Sequence, residues 1–129
     1  MGVLDSLIGN ASEVEAKQIQ EEFKSVLIAD EEVTRAFQVF RDSLVFTSHR
    51  LILVDKQGMT GKKVAYQSIP YKSIVHFTVE TAGTFDLDAE LKIFLSGHQE
   101  PIAKRFTKKL NVYEVQRVLA QHVMEPRRT

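Results

Sequence analysis

The sequence predicts a mainly β fold of the α+β kind. Seven short antiparallel strands curve into a partly open barrel, with a capping helix at the C-terminal end and another helix ahead of the first strand. Three observations carry this expectation. The apolar period is helical up to the acidic run Asp30-Glu31-Glu32, becomes two from Val33, and returns to helical spacing at Asn111. Turn-forming residues punctuate the middle of the chain at short intervals. At 129 residues and 43% hydrophobic content, the chain is long enough to bury one core without metal or disulfide staples.

Near the start, Val3-Leu4 and Leu7-Ile8 form a short apolar piece that Gly9-Asn10 stops. Ser12 then opens a longer helix, with Glu15 in the capping-box position and an apolar stripe of Ala16, Ile19, Phe23, Val26 and Leu27. Phe37 and Val39 alternate with Gln38 in the first strand, and Arg41-Asp42-Ser43 turns the chain into Leu44–Thr47. Ser48-His49 leads to Arg50–Asp55, whose Leu51, Ile52, Leu53 and Val54 are apolar on both faces. A loop at 57–61 with two glycines precedes a fourth strand, Lys63–Ile69, which Pro70 interrupts. The fifth strand, Ile74–Thr81, sets Val75, Phe77 and Val79 on one face and His76, Thr78 and Glu80 on the other. Ala89, Leu91, Ile93 and Leu95 then alternate with polar residues and Phe94, and Gly97-His98 turns into a strand carrying Ile102 and Phe106. Asn111 and Glu114 cap the last helix, with Val112, Val115, Val118, Leu119 and Val123 as its stripe. The expected organisation is a helical segment over 1–30, a barrel domain over 31–125 and a tail over 126–129.

Composition narrows the function. With no cysteine, the chain has no thiolate metal site and no cysteine nucleophile. The four histidines, at 49, 76, 98 and 122, lack ligand-like spacing, and no nucleophile–base pair or phosphate-binding glycine loop is present. No enzyme, no cofactor and no metal is the expectation. His76 and Glu80 share a strand face, which a surface pair explains better than a metal or acid–base site. Residues 1–60 carry a net charge of −4 and residues 61–129 a net of +4, a polarity suited to guiding a partner but too mild for nucleic acid. The start, MGVLDSLIGN, has no cation before Lys17 and too short an apolar run for a signal peptide, so the expected location is cytoplasmic. Gly2 with Ser6 fits the N-myristoylation pattern, which is read as chance.

The segments Phe40-Arg41-Asp42, Val45-Phe46-Thr47, Arg50-Leu51-Ile52, Val54–Gly58, Thr60–Lys63, Ser68–Ile74 and Val79–Gly83 fall in order across most of the chain. In that order they resemble the bacterial pleckstrin-homology-like family, over roughly residues 30–125. The resemblance implies a bacterial source, the partly open barrel, and a ring-forming homo-oligomer with no enzyme activity. Eukaryotic relatives that bind phosphoinositides gather several Lys and Arg around the first loop. Here that loop is Arg41-Asp42-Ser43, with one cation beside an acid, and it lacks the convergent donors a polyphosphate head group requires.

Two surfaces remain as candidates. The surplus apolar residues Leu51, Ile52, Leu53, Val54 and Phe94, with Ile19, Phe23 and Leu27 of the N-terminal helix, exceed what one sheet face buries. Cover by the chain's own helix and packing against a second copy both satisfy them, and the expected function is a self-assembling binding or scaffold domain with a further protein partner. The rival surface is the basic set Lys62, Lys63, Lys104, Arg105, Lys108 and Lys109. It would make weak contact with an anionic membrane and place the protein at the inner face of that membrane, each cation contributing about 1 kcal/mol.

Overall fold

The switches of period resolve into discrete elements. The computed structural model describes residues 13–39, 42–58, 62–81, 89–106 and 112–125. In chain order these are α1 (Glu13–Glu22), β1 (Val33–Val39), β2 (Asp42–Thr47), β3 (Arg50–Gln57), β4 (Lys63–Pro70), a 3-10 turn (Tyr71–Ser73), β5 (Ile74–Thr81), β6 (Ala89–Leu95), β7 (Ile102–Phe106) and α2 (Val112–Met124). The strands pair as two antiparallel sheets, β1-β2-β3-β4 and β5-β6-β7. The chain divides into two compact units, one ending at Pro70 and one beginning at Tyr71. The short apolar piece at 3–8, the Ser12 cap, Arg41 and the Asn111 cap lie outside the described residues. Asp42 and Ser43, expected in a turn with Arg41, are instead paired strand residues of β2, opposite Val39 and Gln38.

In the first unit, register explains why β3 is apolar on both faces. Residues directly opposite one another in an antiparallel pair share a face. Ala36, Val45 and Ile52 lie in one row, flanked by Val54. Phe37, Leu44 and Leu53 lie in another, beside Phe46 and Leu51, on the opposite face. The first set joins Ala16 and Val33 in one cluster, against which Ile19, Phe23, Val26, Leu27 and Val64 pack. So α1 and the strap that follows it cover one face of the sheet. The second set is fully buried as well.

The N-terminal helix is shorter than the stripe suggests. It ends at Glu22, with Glu21 and Glu22 in its last turn and no cation there to offset the negative end of the helix dipole. Separate turns then continue the stripe, closed by Phe23 N–H to the Ile19 carbonyl and Leu27 N–H to the Phe23 carbonyl. The side chains land where a longer helix would have put them. The backbone does not.

One buried ion pair fixes this strap to the sheet. Glu31 is 2% exposed. Its carboxylate accepts bonds from Arg50 Nε and Nη2 (both 2.8 Å), Thr47 Oγ1 (2.6 Å) and Ile28 N–H (3.1 Å). Arg50 also donates to the Val26 carbonyl and to Ser68 Oγ, each at 2.8 Å. A buried charge is costly unless paired and hydrogen-bonded all round, and this carboxylate meets that condition. Thr47 Oγ1 further accepts the His49 and Arg50 N–H groups, which closes the tight β2–β3 turn that delivers Arg50. Gln20 ties the end of α1 to the same place, donating to the Glu31 carbonyl and accepting from Val33 N–H.

The second unit is a three-stranded sheet with α2 against β5, β6 and the 3-10 turn. Leu91, Ile93, Phe106, Val115, Val118 and Leu119 are among its buried apolar residues, and Tyr71 stacks at 4.7 Å on His122. His122 is oriented by its Nδ1, 2.9 Å from the Val118 carbonyl. Strict alternation fails at Val75. A register shift between Ile74 and His76 drops Val75 out of the row of Phe77 and Val79, leaving it 61% exposed while Ile74 is buried. Sequence periodicity cannot register an inserted residue, so the expected face of Val75 is corrected here.

Two outcomes follow from the strap. The Arg50 guanidinium, outweighing burial, lowers the Glu31 carboxyl from 4.5 to about 2, so its share of stability is full above about pH 5 and drains as pH falls toward 2. Acid titration of the unfolding free energy should show a loss of about 3 kcal/mol over that window, absent from Glu31→Gln. Asp30, at φ 69°, occupies the left-handed region just before Glu31. Thermal unfolding should find Asp30→Gly neutral or slightly stabilised and Asp30→Val destabilised by about 1–2 kcal/mol.

Candidate functional site

Polar backbone left unpaired at a sheet edge is a template for another chain, and proteins commonly blunt such edges. The edges here differ in that respect. The start of β1 is occupied by the Gln20 amide, which takes Val33 N–H and gives to the Glu31 carbonyl, as a neighbouring peptide group would. β5 carries the bulge at Val75, and β7 is a short strand of five residues with Arg105 exposed.

Among the described residues, β4 has neither a side-chain plug nor a bulge. It is the last strand of its sheet, and Lys63, Ala65, Tyr66, Gln67 and Ser68 are all exposed along it. Beside it lies an apolar patch that the strap builds. Tyr66 (50% exposed) meets Phe23 edge-to-face at 5.8 Å, and Val64, Val26 and Leu27 are half-buried near the same cluster. Ile28 is 58% exposed on the same strap. The Glu31–Arg50 pair therefore positions this patch, because it grips the carbonyl of Val26 and the N–H of Ile28.

The residues singled out from sequence fall into three groups. Ile19, Phe23 and Leu27 are half-buried against the sheet of their own unit. Leu51, Ile52, Leu53 and Val54 are all buried, with Ile52 and Val54 beneath α1 and its strap, so the chain's own helical segment supplies cover for that face. Phe94 is half-buried and stacks on exposed His76 at 4.2 Å, across the register from it. The helix residues and the Ile52–Val54 face of β3 thus share one cluster in the first unit, and Phe94 belongs to the second unit.

The basic set is divided between the two units. Lys104 and Arg105 are neighbours on β7 and so point to opposite faces, Lys104 across from Leu91 and Arg105 across from Glu90. Lys62 and Lys63 are exposed in the first unit, and Lys108 and Lys109 lie outside the described residues. Among the described residues, no group of three or more His, Asp or Glu is placed to hold a metal ion, and no helix is long and apolar enough to cross a membrane.

Sequence reasoning missed Tyr66, Ile28 and the Glu31–Arg50 pair. Tyr66 sits in a strand whose burial pattern is open on both faces, which its alternating sequence does not reveal. Glu31 reads as one acid in a run of three, and only the hairpin's geometry brings Arg50 to it.

Comparison with known proteins places these features in a family. The model described as Bacterial PH domain matches residues 2–123. The uncharacterized protein YjqA of Bacillus subtilis (strain 168) is 55% identical over 121 residues, covering 93% of this chain and 97% of that protein. The crystal structure of a pleckstrin homology domain from Shewanella amazonensis SB2B superposes with a TM-score of 0.83 at 53% identity, covering 95% of this chain and 99% of that one. A DUF1696 family protein with a pleckstrin-homology domain from Shewanella loihica PV-4 gives 0.76 at 48% identity, with 90% and 99% coverage. Strand order, the final helix and the extent of these matches agree: the chain belongs to the bacterial PH domain family.

Proposed function

We propose that this chain is a non-enzymatic binding module that assembles into a homo-oligomer through the open edge of β4. The observation that carries this reading is the run of exposed residues along β4 at the end of its sheet, with Tyr66 among them against Phe23 of the strap. Strand addition supplies main-chain hydrogen bonds, and the apolar patch supplies area. Stable interfaces bury about 800 Å² on each partner, more than one strand edge offers, so the strap's patch is a necessary part of the contact. A contact between two different patches closes into a ring when the rotation between copies allows. Such an assembly would work as a cytoplasmic scaffold for a further protein partner.

A peripheral role on an anionic membrane has weaker support. It needs the basic residues to act together, and alternation along β7 separates Lys104 from Arg105.

Static light scattering on the purified chain tests the proposal. Wild type should run as an oligomer at micromolar concentration, and Ala65→Lys/Tyr66→Lys should run as a folded monomer, its thermal midpoint lowered by no more than the lost Tyr66–Phe23 contact accounts for. A monomeric wild type, or an oligomer indifferent to both lysines, would sink it.

A further inference from the structure

We propose that α1 is an exchangeable lid, and that the sheet face beneath it accepts α1 of a second copy in place of its own. Exchange needs a neighbour, so the inference rests on self-assembly and adds to it the identity of a shared element.

The lid is weak by construction. It is ten residues long, below the roughly 12–15 that an isolated helix requires, and its last turn holds two glutamates and no cation. Along it, Ala16 is buried, whereas Ile19 and Gln20 are half-buried and Lys17, Gln18, Glu21 and Glu22 are exposed. The face beneath is strong. Val33, Ala36, Val45, Ile52 and Val54 form a closed apolar cluster on paired strands.

The two are joined by a hinge with a fixed far side. Residues 23–26 form a turn, and the Glu31–Arg50 pair holds Val26 and Ile28 to the sheet. α1 can swing about Phe23–Ser25 without disturbing that anchor. Seating in a second copy would remake the same contacts: Ala16 on the cluster, and the Gln20 amide on a Glu31 carbonyl and a Val33 N–H. With identical contacts on both sides, the balance is set by effective concentration, which an assembly raises for the neighbour's helix.

A cleft of about 430 Å³ between α1 and β1 allows a test with little disturbance, since Lys17 and Glu32 line it from its two sides and are both exposed. The chain has no cysteine, so introduced thiols are unique. Full-length Lys17→Cys and Glu32→Cys chains are purified separately, mixed, and treated with a short bifunctional maleimide. Lys56→Cys, exposed on β3, replaces Glu32→Cys as the control for chance encounter.

Exchange predicts a conjugate between the two different chains at about tenfold or more above the control. If light scattering shows an intact assembly but conjugation occurs only within a single chain carrying both thiols, exchange is wrong and self-assembly stands. If the chain is monomeric throughout and no mixed conjugate forms, both fail.

Discussion

The Glu31–Arg50 pair is the constraint on which the rest of the first unit depends. Its carboxylate is buried and fully engaged, by Arg50 on two nitrogens, by Thr47 and by the Ile28 N–H. Removing one partner of a buried pair generally costs about 3–5 kcal/mol, because the other charge is left without compensation. The pair also reaches the Val26 carbonyl and Ser68, so a single residue, Arg50, links the strap and β4 through its side chain and the β2–β3 turn through its N–H. Apolar packing alone would hold α1 loosely. The polar anchor fixes the strap after α1, at the Val26 carbonyl and the Ile28 N–H.

That anchoring has two consequences for binding. It disposes of one surplus apolar face, since Ile52 and Val54 pack under the chain's own helix and strap. It also leaves Phe23 and Tyr66 partly exposed at β4, the last strand of its sheet, where the described residues show no plug or bulge. The apolar property that first pointed to self-association thus moves. It sits at the rim of the sheet, on β4 and the strap, rather than in the centre of β3.

The fold was largely legible because its signals are local. Alternation marks a strand, and Ser48-His49 and Gly97-His98 mark turns. The stripe of Val112, Val115, Val118 and Leu119 marks a helix, and each lies where the periodicity puts it. The misses are non-local. The Val75 bulge is an inserted residue that only the pairing with β6 defines. The truncation of α1 at Glu22 depends on charge at the helix end, which an apolar stripe ignores. Arg50 and Glu31 lie 19 residues apart and meet through a hairpin, so neither could be read as the other's partner. Adjacency in sequence also hides that Lys104 and Arg105 take opposite faces of β7.

Native-state hydrogen exchange on Arg50→Met tests the central claim most directly. If the ion pair holds the strap, the Val26 and Leu27 amides, which bond to the Phe23 carbonyl, lose protection in the variant. The β2 and β3 amides around Phe46 and Leu51, in the paired core of the sheet, keep theirs. Unchanged protection at Val26 and Leu27 in a folded variant would contradict the account.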